Sequence, residues 1–142
     1  MDANEVVRSQ VVRFYEELWN VPDLSLVPDL LHPDIAFRGS LGDERVGHDQ
    51  FVGYVTSVIT ALGDYRCDIV QLVAEPEQVA ARMVFSGVHR GRFLGVDPSG
   101  VRVSWAGAAF FSFVGELIRD LWVLGDMAGL RAQLDAATRA GN

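Results

Sequence analysis

The amino-acid sequence predicts a single α+β domain in which helices come first and a long, mostly antiparallel sheet follows. Three observations lead to this class. The chain has 142 residues, which is the size of one ordinary domain. Apolar residues recur at helical spacing in the first part of the chain, whereas they alternate with polar residues from Tyr65 onward. Short hairpin-like turns separate most of the alternating segments, and neither a repeat nor a linker divides residues 1–142.

Helices are predicted where apolar residues recur every three to four positions. A first helix begins at Asn4 and ends at the turn 20–23. Its buried stripe consists of Val7, Val11, Phe14, Tyr15 and Leu18. A shorter helix is predicted over 24–31 and a third over about 48–62, and Asp126 can cap a terminal helix over 126–137.

Strands are predicted where the period of the apolar residues is two. A brief strand covers 34–38, and four longer strands cover 65–74, 79–90, 101–114 and 117–124. Strands of this length exceed the usual about 5–6 residues, and long strands twist strongly. Such a sheet curls around the helices packed on it. We therefore expect a cone whose interior is a pocket wherever the helices do not fill it.

Composition excludes several classes of function. The net charge is −7 and the acidic residues are scattered, which opposes binding to nucleic acid or to an anionic membrane. Cys67 is the single cysteine, so no internal disulfide and no cysteine metal site can form. The three histidines lack metal-ligand spacing, and no cofactor motif is present. Without a secretory signal or an apolar stretch of about 20 residues, the protein is predicted to be cytoplasmic.

The last predicted strand carries a carboxylate between apolar neighbours. In a regular strand, Asp120 shares one face with Ile118, Trp122 and Leu124. One interpretation is a partly dry site in which the carboxylate transfers protons near neutral pH. The other is a solvent-facing aspartate paired with an arginine of a neighbouring strand. We predict Asp120 as the acid/base residue and keep the second interpretation open.

Other residues are predicted to position a ligand. His89 shares a strand face with Phe85 and is flanked by glycines, which permit close approach of a ligand or of another backbone. A hydrogen-bonded core histidine is the alternative. The predicted substrate-binding residues are Phe14, Tyr54, Phe85, Trp105 and Trp122. For the tryptophans and the tyrosine, packing in the core is the other interpretation.

Several motifs together resemble one family. They are GVHRG at 87–91, PSG at 98–100 and IRDLW at 118–122 followed by Asp126, with fitting segments at 14–20 and 31–34. This set is similar to the SnoaL-like polyketide cyclase family, whose usual patterns are Gly-Thr-His-Thr-Gly, Pro-Thr-Gly and Ile-x-Glu-x-Trp-x-x-x-Asp. Val88 and Arg90 replace the two threonines. Ala106 and Ala108 stand on the strand where some family cyclases carry a histidine.

The resemblance implies the cone fold shared with nuclear transport factor 2 and ketosteroid isomerase. It also implies a homodimer or larger assembly built on the sheet, and a cofactor-independent enzyme acting on an apolar polyketide-like ester. In the family's cyclases a strand carboxylate removes an acidic proton, and the enolate closes a ring by intramolecular aldol attack. Asp120 occupies that position, and the pocket would hold the substrate folded.

Three other functions fit the same expected fold. A cofactor-free hydroxylase is one. A second is an epoxide hydrolase, in which Arg66 and Asp68 would join Asp120. The third is a module that binds a small molecule without chemistry, which a filled pocket or an ion-paired Asp120 outside it would favour.

Overall fold

Helices and strands follow one another in nearly the predicted order. The structure, a computed structural model, describes residues 2–140. Its helices are α1 (Ala3–Arg13), a π-helical segment (Phe14–Trp19), a 3-10 turn (Leu24–Leu26), α2 (Val27–Leu30), α3 (Gly47–Ala61) and α4 (Met127–Ala140). Its strands are β1 (Leu31–Arg38), β2 (Glu44–Val46), β3 (Leu62–Glu75), β4 (Gln78–His89), β5 (Arg102–Val114) and β6 (Leu117–Gly125).

All six strands form one sheet in the order β2-β1-β6-β5-β4-β3. Neighbouring strands are antiparallel except β1 and β6, which are parallel. The predicted α+β class with a mostly antiparallel sheet is therefore confirmed. Among residues 2–140, no helix combines the length and the apolarity needed to cross a lipid bilayer.

Two elements differ from the prediction. The predicted helix over 24–31 is a 3-10 turn followed by one helical turn, because Leu31 already pairs with Ile118 of β6 and begins β1. Strand β2 has three residues and was not predicted, since so short a segment carries no readable period. It pairs with β1 across the turn 39–43.

The hydrophobic core lies between the helices and one face of the sheet, which we call the inner face. Aromatic rings dominate it: Phe14 and Phe111 meet edge to face with centroids 5.8 Å apart, as do Phe37 and Phe51 at 5.1 Å. Burying such a side chain stabilises the fold by about 1.5–3 kcal/mol relative to leaving it exposed. On the opposite face of the sheet, the outer face, large side chains such as Phe110, Trp122 and Leu124 are exposed.

β-Bulges in β6 and β3 help to decide which side chains enter the core. In β6, Ile118 pairs with Phe113 and Asp120 with Ser112, so Arg119 is an extra residue in the strand. Both Ile118 and the later Leu121 are consequently buried on the inner face. In β3 an extra residue lies between Gly63 and Arg66, where Asp64 has φ of 50°. Aspartate tolerates this left-handed conformation, which places Tyr65 on the inner face.

Candidate functional site

A small cavity lies at the centre of the cone, between the helices and the inner face. Its volume is about 20 Å³, which is roughly the space needed by one water molecule. Its lining is aromatic and apolar with a few hydroxyl and thiol groups: Phe14, Tyr15, Trp19, Phe37, Ser40, Tyr54, Tyr65, Cys67, Phe85, Leu121 and Val123. Of the predicted pocket residues, Phe14, Tyr54 and Phe85 line this cavity.

The π-helical segment contributes three lining residues, Phe14, Tyr15 and Trp19. Its turn is wider than that of an α-helix, because the Asn20 amide donates at 2.9 Å to the carbonyl of Tyr15, five residues earlier. The Asn20 side chain then donates to the Cys67 carbonyl at 2.9 Å and accepts from the Cys67 amide at 2.8 Å. These bonds fasten the segment to the edge strand β3, so the rings of both elements are held against the cavity. Single π-helical turns are rare in proteins, and those that do occur are often found at functional sites.

Three phenols line the cavity, and all remain protonated at neutral pH. Burial raises the pKa of Tyr54 to about 12, although its hydroxyl bonds to the Ser40 side chain and the Leu41 backbone. Burial also raises the pKa of Tyr15 and Tyr65 well above the usual value. A protonated phenol can donate a hydrogen bond, so the cavity presents neutral donors among apolar walls.

Tyr15 differs from the other two phenols because its buried hydroxyl has no hydrogen-bond partner. An unsatisfied buried polar group is destabilising and calls for an explanation such as a bound water or ligand. The Cys67 thiol is close by, but burial raises its pKa and keeps it protonated and unreactive. None of the residues that line the cavity is an aspartate, a glutamate or a histidine.

Two rings belong both to the cavity and to a depression on the surface. A surface depression of about 250 Å³ lies between the loop 20–22, α3 and β3, and Trp19 and Tyr65 belong to its walls and to those of the cavity. The two rings lie 5.3 Å apart, and both are largely buried. The depression and the cavity are therefore neighbours that share these two rings.

Trp105 lies one layer behind the cavity. Its ring packs 5.5 Å from that of Phe85 and 6.3 Å from that of Tyr65, and both of those rings line the cavity. The indole Nε1 of Trp105 is buried without a hydrogen-bond partner. Contrary to the prediction, Trp105 does not line the cavity itself; it packs behind Phe85 and Tyr65, which do.

His89 is fully buried and lies outside the cavity lining. Its Nδ1 is 3.0 Å from Ser99 Oγ, and its Nε2 is 3.2 Å from the Val96 carbonyl oxygen. Both ring nitrogens thus fasten the loop between β4 and β5. A Cβ on Gly91 would lie 2.9 Å from the Thr60 carbonyl oxygen, so that glycine admits another backbone rather than a ligand. The structure places His89 as a hydrogen-bonded core residue.

Asp120 and Trp122 lie on the outer face, away from the cavity. Asp120 is exposed, and Trp122 is 41% exposed with the Arg38 guanidinium 5.1 Å from its ring centre. Contrary to the prediction, Asp120 does not face a dry interior and Trp122 does not line the central cavity. Both instead line a separate surface depression of about 280 Å³. The extra residue Arg119 is the physical reason: it lets the buried Ile118 enter the core while the strand beyond it keeps Asp120 outside.

The epoxide-hydrolase arrangement is not assembled. Arg66 and Asp68 form an exposed ion pair with N and O 2.8 Å apart on the outer face of β3. Three strand spacings, about 14 Å, separate that strand from β6 and Asp120. No group of three or more possible metal ligands comes together within the described chain, residues 2–140.

The sequence interpretation missed several lining residues, and some of them left a signal. Tyr65 and Cys67 share a strand face by the two-residue period, while the charged Arg66 and Asp68 occupy the opposite face. That contrast could have identified the inner face of β3. Tyr15 was placed on the buried stripe, but nothing in its spacing distinguishes an unpaired hydroxyl from a bonded one.

The chain is similar to proteins of known structure over nearly its whole length. TsrD from Streptomyces laurentii superposes with a TM-score of 0.83 and 25% identity over 94% of this chain and 97% of its own. AclR, a candidate hydroxylase from Streptomyces galilaeus, has a TM-score of 0.80 and 26% identity over 93% of this chain and 86% of its own. A search of the curated proteins gave no match.

A third structure and the family comparison settle the fold and the family. A Catenulispora acidiphila protein with a ketosteroid isomerase-like fold, solved with trimethylamine, has a TM-score of 0.75 and 15% identity over 89% of this chain and 92% of its own. This likeness confirms the predicted cone fold. The sequence model of the SnoaL-like polyketide cyclases matches residues 9–134. The chain belongs to the SnoaL-like polyketide cyclase family.

Proposed function

We propose that the protein is a cofactor-independent cyclase that binds a polyketide-like ester inside the cone and promotes intramolecular aldol ring closure. Family membership supports a cyclase-like enzyme in general. The observation that carries the specific proposal is the cavity itself: aromatic walls with three protonated phenols, one of which has no protein partner. An apolar ring system with several carbonyl oxygens is complementary to such walls.

The donors act on the oxygen atoms of the substrate. In an aldol closure an enol carbon attacks a ketone carbon, a carbon–carbon bond forms, and the ketone oxygen gains negative charge and then a proton. The product is an isomer of the substrate. Hydrogen-bond donors held in a dry site stabilise the charge that develops on that oxygen. Tyr15 is the phenol free to do so, because Tyr54 already bonds to Ser40 and Leu41.

No residue is assigned as the base. The lining offers no carboxylate or imidazole, and Asp120 lies on the outer face. A carbon between two carbonyls is acidic, and such a compound carries an enol form in water. The cavity would select that form through its donors and hold the chain folded, so that closure becomes a positioned event.

The cavity must widen to accept a substrate. Pockets for drug-sized ligands have volumes of about 300–1,000 Å³. The cavity is far smaller, at about 20 Å³. The depression of about 250 Å³ shares Trp19 and Tyr65 with the cavity, so a turn of either ring away from its present position would join the two spaces. We propose this movement as the route by which substrate reaches the phenols.

The test uses an aromatic 3-oxo ester that carries a ketone within reach of its activated carbon. Mass spectrometry with chromatography would follow the cyclic isomer above the uncatalysed rate. The Tyr15→Phe variant should lose about tenfold in kcat/KM, which corresponds to one hydrogen bond to developing charge. Asp120→Asn is the matched control and should keep kcat. Absence of product, or loss of turnover in Asp120→Asn with full activity in Tyr15→Phe, would overturn the proposal.

A hydroxylase is the second candidate, favoured by the 26% identity to AclR over 93% of this chain. Hydroxylation of the same enol in the same cavity would use dioxygen as the oxidant: one oxygen atom would be added to the substrate carbon, and a reductant from solution would supply two electrons to convert the other to water. The two reactions are distinguished in the same assay, because hydroxylation adds the mass of one oxygen atom whereas closure leaves the mass unchanged. Binding of the ester without either product would indicate a module that only binds.

A further inference from the structure

Trp105 carries a buried hydrogen-bond donor that the proposed function does not use. Within residues 2–140, two buried side-chain donors have no hydrogen-bond partner: the Tyr15 hydroxyl and the Trp105 indole Nε1. Trp105 is only 3% exposed, so bulk water does not reach its N–H group. An indole N–H can only donate, and buried donors in native proteins are nearly always paired with protein, water or ligand. The Trp105 N–H group therefore calls for an acceptor, as the Tyr15 hydroxyl does.

The edge of the indole that carries Nε1 lies beside a residue of the cavity wall. A Cβ on Gly125 would lie 3.1 Å from Trp105 Cδ1, the ring atom bonded to Nε1, and also 3.1 Å from Ser40 Cβ. Because Gly125 has no side chain, Trp105 and Ser40 approach the same point from two sides. Ser40 is buried and lines the cavity. The unpaired N–H group therefore belongs to the layer directly behind the Ser40 wall.

Tyr65 and Phe85 cover Trp105 on the cavity side, and they are held differently. The ring centre of Trp105 is 6.3 Å from that of Tyr65 and 5.5 Å from that of Phe85. Phe85 lies against the backbone of β5, where a Cβ on Gly107 would be 2.5 Å from its Cε2. Tyr65 lies on the edge strand β3 and also forms part of the surface depression. A turn of Tyr65 out of the cavity would thus join the two spaces and uncover Trp105 at the same time.

We infer that Trp105 Nε1 donates to a second carbonyl oxygen of the ligand, so that the protein selects compounds with two oxygen acceptors on one apolar ring system. Tyr15 binds one oxygen and Trp105 binds the other. A ligand with a single acceptor leaves one of these buried donors unpaired and binds more weakly. This inference rests on the proposed function in one respect: the ligand must enter the cavity and reach Tyr15.

A second donor has a clear use in ring closure. An aldol reaction involves two carbonyl groups, one on the enol component and one on the ketone that is attacked. Donors that hold both oxygens fix the distance between the two reacting carbons. Since the indole N–H donates but does not take up a proton, Trp105 acts by binding and orienting the substrate and not as an acid or base.

The indole N–H resonances test the contact without any turnover. In protein labelled with ¹⁵N at its tryptophans, the Trp105 resonance is identified by its loss in Trp105→Phe. Binding of 2-hydroxy-1,4-naphthoquinone should move this proton to lower field, because a carbonyl then accepts from it. Naphthalene should move it much less. Trp122, which is 41% exposed on the outer face, is the internal control and should stay unchanged. Equal movement with both compounds, or no movement with the quinone bound, would overturn the inference.

An isosteric replacement tests the affinity. In 3-benzothienylalanine a sulfur atom replaces the indole N–H group while the ring keeps its shape. At position 105 this residue should weaken quinone binding by about tenfold, the loss of one hydrogen bond. The same residue in place of Trp122 is the matched control and should bind the quinone as wild type does. With 2-acetylnaphthalene, which has one carbonyl, only one of two changes, this replacement at 105 or Tyr15→Phe, should weaken binding.

The outcomes separate this inference from the proposed function. Quinone affinity that falls in Tyr15→Phe but not in the variant at position 105 would overturn the role of Trp105 alone. Loss of affinity in both variants without any cyclic product from the oxo ester would support the role of Trp105 and overturn the cyclase. A wild-type protein that does not bind the quinone would overturn both. Circular dichroism checks that each variant is folded.

Discussion

Removing one hydroxyl from the cavity should stabilise the protein and weaken ligand binding at the same time. Tyr15 is buried, and its hydroxyl has no partner. A buried unsatisfied group costs about 1–3 kcal/mol. Tyr15→Phe removes that cost and leaves only a slightly larger cavity, which costs about 24 cal/mol per Å³. The free energy of unfolding should therefore rise by about 1 kcal/mol, and Tm should rise by about 3 °C for a domain of this size.

The predicted loss of ligand affinity is tested with two compounds. One is 2-hydroxy-1,4-naphthoquinone, an apolar ring system with carbonyl acceptors, and the other is naphthalene, which has no carbonyl group. Titration calorimetry should show that Tyr15→Phe binds the quinone about tenfold more weakly, the loss of one net hydrogen bond of about 1.4 kcal/mol. Naphthalene affinity should be unchanged.

Tyr54→Phe is the matched control for stability. Its hydroxyl bonds to Ser40 and Leu41, so its removal should lower the free energy of unfolding by about 1 kcal/mol. Urea denaturation followed by tryptophan fluorescence measures both variants. If Tyr15→Phe is destabilised as much as Tyr54→Phe, the Tyr15 hydroxyl is satisfied in solution and the reasoning fails.

Three further predictions concern pH, the loop after β4 and access to the cavity. Because burial raises the pKa of Tyr54 to about 12 from 10.0, its stabilising contribution is complete below pH 10 and is lost between pH 10 and about 12. Chemical denaturation should show that the free energy of unfolding falls by up to about 1.4 kcal/mol per pH unit because of this group. In Tyr54→Phe the free energy of unfolding should fall less steeply with pH. His89→Ala removes the two hydrogen bonds from the imidazole to Ser99 Oγ and the Val96 carbonyl and leaves a cavity in the core. It should therefore destabilise the protein by about 2–4 kcal/mol and speed amide exchange in the loop 92–101. A stability equal to wild type would show that His89 does not hold the loop. Trp19→Ala removes one of the two rings between depression and cavity, so stopped-flow fluorescence should record faster quinone association; an unchanged rate would place the route elsewhere.

Periodicity predicted most of the fold because most elements are long and regular. The fourteen residues of β3 and the fifteen of α3 carry enough apolar positions to identify both the element and its buried side. Segments shorter than about one period, such as β2 and the helical turn before β1, could not be predicted in the same way.

The candidate site was harder to predict because one residue decides which way a strand faces. Asp120 and Ile118 share a face in a regular strand, and the bulge at Arg119 places them on opposite faces. No local feature of the sequence predicts that bulge, since both faces of the predicted strand carry three apolar residues and one charge. His89 illustrates a second limit: its pattern fitted a ligand or a core role, and only the positions of Ser99 and Val96 show which partners it has.

The central claim is that ligand binds inside the cone, against the phenols, rather than beside the outward-facing carboxylate. A crystal structure with 2-hydroxy-1,4-naphthoquinone tests it most directly. The account predicts a carbonyl oxygen within about 2.7–3.2 Å of Tyr15 Oη, with Trp19 or Tyr65 turned from its present position. A quinone bound on the outer face next to Asp120 and Trp122, with the central cavity unchanged, would contradict it.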